Sequence, residues 1–561
     1  MFATYQNPIY DYHKSPDQEA SSPVHHPLII VGAGPIGLAA ALESNLQGIP
    51  AIVLDDNNTV SIGSRAVCYS KRALEILDRL GCARRILDKG ITWQVGKVFF
   101  QDKLVTRFDL LPEEGHEHPA FVNLQQYYLE EYMVDQLGDK ENVEIRWSNK
   151  VVGVENHDGD LDQPVLITVE TPDGPYQMTT DWLIVADGAN SSVRTMLDLP
   201  IHGKVFGDTF LSADIVMKHE HPLERWFTFD PPDNPGQSTL LHRQADDVWR
   251  ISFQLGRGVD HEEEGKPENV RARVRAMMGE DIEFELEWTS VYTYRSRRMD
   301  HFRQGRVIFA GDAAHQVSPY GARGANSGFQ DTDNLVWKLK LVMDGKAPDA
   351  LIDSYCEERE FAADENLLNS TRSTDFISPE SKVSKLFRNS VLELSGDYHF
   401  AKGLINSGRL SDAAVLTDSP LNTPDEASFL CNMVPGAAMD DAPVKVGQHD
   451  GWLLDELGNR FQLLYFQEYA NEINEQTIKQ LLSLQEAEIP VQPIVVVTSG
   501  KAAHGLKTLV DIQGMMTTRY DAQNGTCYLV RPDQHVAARW QRLNISKVRQ
   551  AVNTATCNDA Q

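Results

Sequence analysis

The chain has no Cys-x-x-Cys pair and no apolar run long enough to span a membrane. Its six cysteines stand apart at 68, 82, 356, 431, 527 and 557. That usage suits a reducing, cytoplasmic setting and offers no spacing for a metal site or a dithiol redox centre, so no metal is expected. No stretch supports membrane insertion. Cations are scarce: 52 Lys plus Arg face 81 Asp plus Glu, a net charge of -29. Such a balance argues against nucleic acid and anionic membrane surfaces as partners. A small anionic ligand stays open, because it feels the local field of its pocket. The N-terminal segment lacks the basic-then-apolar order of a signal peptide. With Pro8, Pro16 and Pro23 it reads as a flexible or surface-wrapping polar tail over 1–27.

What is present is a set of three short strings. Leu28-Ile29-Ile30-Val31 reads as a buried parallel strand and runs into Gly32-Ala33-Gly34-Pro35-Ile36-Gly37. A small-residue helix follows, Leu38 to Leu42, then a strand over Ala51–Leu54 ending at Asp55. Gly32 permits the tight turn, Gly34 lets a pyrophosphate approach, and Gly37 lets helix and strand pack closely. The helix N-terminus offers N–H groups and partial positive charge to phosphates. Asp55 stands where a carboxylate can bond ribose hydroxyls, with Asp56 beside it. This unit predicts dinucleotide binding without separating FAD from NAD. The second string, Asp187-Gly188-Ala189-Asn190-Ser191-Ser192-Val193-Arg194, caps the strand Trp182–Ala186. The third, Gly311-Asp312-Ala313-Ala314-His315, caps the strand Arg306–Ala310. Pro319, Tyr320 and the small-residue run 321–326 lead into a helix reaching about Met343. That helix start would aim N–H groups and a partial positive charge at a ligand.

In this order the strings resemble those of the single-component FAD aromatic hydroxylases of the p-hydroxybenzoate hydroxylase type. The likeness is strongest to the phenol, pentachlorophenol and 3-(3-hydroxyphenyl)propionate hydroxylase branch. The resemblance implies an α/β chain in which a Rossmann-type FAD-binding domain over 28–410 is interleaved with a β-sheet substrate domain at about 90–125 and 200–300. A linker over 411–448, a thioredoxin-like domain over 449–545 and a tail over 546–561 complete it. It implies FAD as cofactor, NADH or NADPH as a transient cosubstrate without its own Rossmann domain, and O2. Gly32, Gly34, Pro35, Ile36, Gly37, Asp55 and Asp56 fall on the FAD side. So do Arg65 and Ala66 of the loop after the second strand, Gln126, Asp187, Gly188, Arg194, Gly311, Asp312, Pro319, Gly324, Ala325 and Asn326. The implied reaction is hydroxylation of a small phenolic substrate through a flavin C4a-hydroperoxide. Loss of a ring substituent, the choice of ring position and the choice of NADH or NADPH stay open.

The substrate side is less legible. Ser238–Gln244 and Val248–Gln254 read as paired strands around Ala245-Asp246-Asp247. Alternate strand residues share a face, so His242 and Gln244 point together and Arg243 points away. The family layout puts His242 and Gln244 at substrate contacts and Arg250 at a flavin contact. His242 is a candidate for phenol deprotonation. Tyr292, Tyr294, Tyr320 and Arg323 are further pocket candidates, and His315 reads as a packing or turn residue. In the C-terminal third, Phe461–Phe466 and Val491–Val497 read as strands, Asn474 to about Glu486 as a helix, and Asn524-Gly525 as a hairpin signal. A scaffold or homodimer contact suits this unit better than thiol chemistry. Rival readings are a reductase or dehydrogenase of the same fold that inserts no oxygen, and a non-catalytic FAD-binding sensor. A flavin halogenase is disfavoured because none of the nine tryptophans forms a Trp-x-Trp string.

Overall fold

The computed structural model describes residues 4–138, 140–218, 222–405, 411–499 and 505–560. Its first sheet runs in the order 303–304, 307–309, 174–185, 24–31, 51–54 and 143–146. From Val307–Phe309 to Val143–Arg146 the neighbours are parallel. Parallel strands are covered on both faces, which is why Leu28–Val31 and Leu183–Val185 are unbroken apolar runs and fully buried. The helix Pro35–Leu46 packs against Gly324–Met343 and Gln126–Leu137. Pro35 fits at its first turn, where the missing N–H would have had no intrahelical partner.

The second sheet has eight strands, in the order 315–316, 285–299, 201–216, 248–256, 238–243, 225–229, 95–100 and 103–109. It draws together the two stretches expected to form the substrate domain. Ser238–Arg243 and Val248–Gly256 form the anticipated antiparallel pair. Asp246 and Asp247 both hold positive φ at their turn (60° and 56°), the twist that a tight hairpin requires. The register aligns a row of same-face residues across five strands. Arg225 continues the pairing of Trp226 with Leu241 and so stands opposite His242; His242 faces Arg250, Arg250 faces Asp214, and Asp214 faces Trp288. The opposite face is apolar, and Leu211, Ala213, Leu241, Ile251 and Phe253 bury against the helix Pro267–Met278.

A seven-stranded sheet carries the C-terminal unit, in the order 449–452, 443–446, 507–510, 491–499, 461–469, 527–530 and 536–540. The segment expected as a linker contributes the strand Pro443–Val446 to it, and Leu416 and Leu421 are buried. The segment expected as a C-terminal tail is instead the helix Ile545–Ala555, whose Val548, Ala551 and Ala555 pack into the core. Apolar residues at helical spacing drive that docking. At the other end the described part of the polar tail wraps the surface. Tyr5 stacks on Tyr127 at 4.2 Å, Tyr10 stacks on Trp147 at 4.4 Å, and the first strand already begins at Val24. Residues 406–410, where the sequence puts the end of the FAD-binding domain, lie outside the described residues. Among the described residues no helix is long and apolar enough to cross a membrane.

The C-terminal sheet is pinned to the first domain by buried charge. Arg531 meets Glu358 Oε2 at 2.9 Å and also pairs with Asp533 at 2.5 Å. Lys338 reaches the same Glu358 at 2.7 Å. All four side chains are 0% exposed. Arg72 joins Asp333 at 2.9 Å to Gln534 at 2.9 Å. Removing Glu358 leaves Lys338 buried without an anion and Arg531 with Asp533 alone. Glu358→Ala is expected to cost about 3–5 kcal/mol, measured as a lowered unfolding temperature by calorimetry.

Candidate functional site

The three glycine-rich strings meet at the carboxyl ends of the parallel strands. Gly32 has φ +102° and its backbone passes so close to the second string that a Cβ there would lie 2.6 Å from the Ala186 carbonyl oxygen. A Cβ on Gly37 would lie 1.8 Å from the Gly32 carbonyl oxygen, so helix and turn can be this close only with glycine. Ile36 wedges against Gly311, tying the first string to the third. Arg194 donates to the Ala313 carbonyl at 2.7 Å and to Ala189 at 3.2 Å, tying the second to the third. Gln316 adds a bond to Ala189 at 2.7 Å. His315 is held by Asp331 at 2.7 Å, a structural contact that agrees with its reading as a packing residue.

Around this junction several groups face open space. Nothing lies within 4 Å of where a Cβ on Gly34 or Gly188 would be. Asp312 is exposed to the cleft, and among the described residues its carboxylate accepts no hydrogen bond. Desolvation raises its pKa, while His315 and Arg65 oppose the rise. Arg65 and Pro319 are exposed. Asp187 accepts from the Val193 N–H at 3.2 Å and the Ser192 hydroxyl at 3.3 Å, but its Oδ1 is buried without a partner. Its pKa is raised, desolvation outweighing those bonds. Asp55 accepts from the Ala33 N–H at 2.6 Å and the Asn57 N–H at 2.8 Å, and Asp56 is exposed beside it. An open glycine turn, an orphaned carboxylate oxygen and an unbonded acid in the cleft fit a dinucleotide whose hydroxyls would donate to them.

Other expected residues are spent on holding loops. Gln126 accepts from the Ala66 N–H at 3.0 Å and donates to Ser61 at 3.0 Å and Glu130 at 2.8 Å, so it clamps the loop 61–66. Asn326 accepts from the Ser70 N–H at 3.0 Å and donates to Cys68 at 2.9 Å. It fixes a strand edge to the first turn of the Gly324–Met343 helix, the turn that also holds Ala325. Arg250 is gripped by Asp214 through two bonds of 2.7 Å and donates to the Ser64 carbonyl. It thus hangs the substrate sheet on the loop before Arg65. Gln244 lies beyond the strand end and donates to Asp214 at 3.2 Å. Tyr292 bonds Ser212 at 2.8 Å. Tyr294 stacks on Phe210 at 4.0 Å and meets Tyr320 edge-on at 5.2 Å. Arg323 turns to Asn366 at 2.6 Å and lines a separate cavity of about 310 Å³ with Phe361, Glu365 and Asp412.

His242 is buried, and its pKa is held well below the usual imidazole value by desolvation and by the charges of Arg225 and Arg250. A ring this reluctant to take a proton is a poor base, so the surroundings do not favour the expected phenol deprotonation. The residues that sequence reasoning missed are those of the row itself. Arg225, Asp214 and Trp288 share its face, with Cys68 and Asn123 opposite His242. The alternation Arg225, Phe227, Phe229, all buried, was the signal available for the first of them.

Two outcomes are expected. Gly32→Ala brings both a clash and an unfavourable φ, and should lower FAD content roughly tenfold or more, read from flavin absorbance of the purified protein. The His242 ring should stay neutral across the neutral range, with no titration in imidazole nitrogen spectra from about pH 6 to 8.

A family model described as an FAD binding domain matches residues 25–370, and one described as the HcaD C-terminal domain matches 438–555. The 3-(3-hydroxy-phenyl)propionate/3-hydroxycinnamic acid hydroxylase of Escherichia coli O81 (strain ED1a) is 26% identical over 519 residues, 91% of each chain. The flavin-dependent monooxygenase PieE, solved with FAD and substrate, superposes with a TM-score of 0.77 at 21% identity, over 95% of this chain and 99% of that one. Aklavinone-11 hydroxylase, solved with FAD and aklavinone, gives 0.74 at 19% identity, over 96% and 100%. These two likenesses concern the fold. The family model spans more than half of the chain, and the chain belongs to the FAD-binding family it describes.

Proposed function

We propose that this protein is a flavoprotein aromatic monooxygenase that hydroxylates a small phenolic substrate using NADH or NADPH and O2. The observation that carries the reading is the junction of three strings, with an unbonded acid in the cleft, under a sheet face lined by aromatic rings. The open glycine turns and the aromatic cluster of the substrate sheet support a flavin site beside an apolar one for the ring. FAD, when bound, supplies the redox chemistry, accepting hydride and activating oxygen.

The chain's own residues do the rest. Gly32, Gly34 and Gly37 with the following helix start receive the pyrophosphate; Asp55 receives the ribose; Asp312 receives the ribitol hydroxyls. Asp187, Gly188 and Arg194 hold the second side. Arg65 and Ala66 flank the flavin, kept in place by Gln126 and by the Arg250–Asp214 pair. The loop from Pro319 to Gly324 closes the same side. Phe210, Phe227, Tyr294 and Tyr320 form a dry wall that keeps water from the reacting centre. Tyr292 packs against this aromatic cluster, and Gln244 supports Asp214. His242, being neutral, serves as a hydrogen-bonding group toward the substrate. The C-terminal sheet, which has parallel central strands and antiparallel edges, is a thioredoxin-like scaffold without a dithiol, and the protein works as a cytoplasmic homodimer.

The test is a screen of phenols for stimulated NADH or NADPH oxidation by the yellow protein, with products weighed after reaction under isotopically labelled O2. One labelled oxygen in the ring product is expected. Stimulated oxidation that yields only hydrogen peroxide or a dehydrogenated product would instead favour the reductase reading.

A further inference from the structure

The row across the substrate sheet is unbalanced in charge. It holds two arginines, and one anion serves only one of them. Asp214 grips Arg250. Arg225 is 7% exposed, and among the described residues it has neither a hydrogen bond nor an ion pair. Its neighbour Glu224 is already engaged by Lys97 at 2.7 Å and by the Trp226 indole at 2.9 Å. The groups that feel the Arg225 charge are Cys68, Tyr294, Tyr320 and His242, none of them a carboxylate. The one contact drawn to the guanidinium is the Trp93 ring, 5.9 Å from it. A buried guanidinium keeps its charge, and leaving it without an acceptor is costly.

A second unpaired donor stands opposite it. The Trp93 indole donates to Asn123 Oδ1 at 2.8 Å, and Asn123 Nδ2 donates to the Arg243 carbonyl at 2.8 Å, which fixes the amide orientation. That amide presents Nδ2 to His242 Nδ1 at 3.5 Å. Nδ1 is therefore the accepting nitrogen, and the proton of the neutral ring sits on Nε2. Nε2 is buried and has no partner. Arg225 and His242 are cross-strand neighbours on one face, so their side chains stand side by side.

We propose that Arg225 and the His242 Nε2–H form a seat for a carboxylate carried by the aromatic substrate, which makes the substrate class a phenolic aryl carboxylic acid. The forked guanidinium and the imidazole N–H offer donors to both oxygens of a carboxylate, whereas a phenolate presents one oxygen. The inference deepens the hydroxylase reading and rests on it only for calling the ligand a substrate.

The test measures binding to the holoenzyme by calorimetry, with 3-phenylpropanoate as a carboxylate without a phenol and with phenol as a ring without a carboxylate. Arg225→Met should weaken 3-phenylpropanoate by about thirtyfold or more and leave phenol within about twofold. Arg225→Lys, which keeps the charge but not the fork, should fall between. The unliganded Arg225→Met protein should melt no lower than the parent, because the charge it removes has no partner; a clearly lowered melting temperature would assign Arg225 a structural role and overturn the proposal. Equal loss of both probes, unchanged binding of both, or no binding of 3-phenylpropanoate by the parent would each overturn it as well. The two readings fail separately. Arg225-dependent carboxylate binding without any oxygenated product would sink the hydroxylase reading and keep the seat. Hydroxylation of neutral phenols without carboxylate binding would do the reverse.

Discussion

The approach on which the cleft depends is backbone on backbone, where Gly32 passes the Ala186 carbonyl. No side chain fits between them, so the ends of two parallel strands are forced into contact. Everything around the cleft is placed relative to that contact. Ile36 of the same turn then meets Gly311, and Arg194 reaches across to Ala313. The ends of three strands, each apolar along its length and polar at its tip, become one concave surface. Crevices at such strand ends are where ligands bind in open α/β sheets. The substrate sheet is hung from this surface by Arg250, whose guanidinium spans from Asp214 to the Ser64 carbonyl.

A different principle holds the C-terminal unit. Its sheet meets the first domain through ions rather than through oil alone: Arg531, Glu358, Asp533 and Lys338 are all fully buried. Burying ions is expensive, and their mutual attraction in a dry interior repays it only with good geometry. Such a cluster adds little net stability but tolerates no sliding, since each displaced ion would lose its partner. It fixes the helices Gly324–Met343 and Ala350–Ile377, and the first of these starts at the cleft. The C-terminal unit thereby sets the orientation of a helix that starts at the cleft.

Legibility in the sequence followed locality. Gly32 to Asp55 is one contiguous unit, and turn, helix and strand could be read from residue types alone. Asp312 and Asp187 were legible because each ends an apolar strand. The helix Ile545–Ala555 was missed because it is short and two of its four core positions are alanine, so only the partner surface reveals them as core. Pro443–Val446 was missed because a strand of four residues that begins on proline carries little pattern of its own. The electrostatic setting of His242 was not legible. Its pKa is lowered by burial and then by Arg225 and Arg250 on neighbouring strands, and no local pattern announces which strands will pair. The same holds for Asp214 and Arg250, thirty-six residues apart in sequence and bidentate in space.

The face of the substrate sheet therefore has a direction. At one end stands the polar row of Arg225, His242, Arg250 and Asp214; further along the same strands come Phe227, Phe229 and Phe210, with Tyr294 and Tyr320 packed upon them. A ligand with one charged end and one aromatic end has a single favourable orientation on such a surface. Its anion would relieve the unpaired guanidinium, and its ring would lie on the aromatic wall. The depressed basicity of His242 belongs to the same logic. Burial and the two cations beside it keep the ring neutral, and a neutral ring donates from one nitrogen while accepting at the other. Charge that the chain leaves uncompensated in its own fold is thus directed at a group that the chain does not contain.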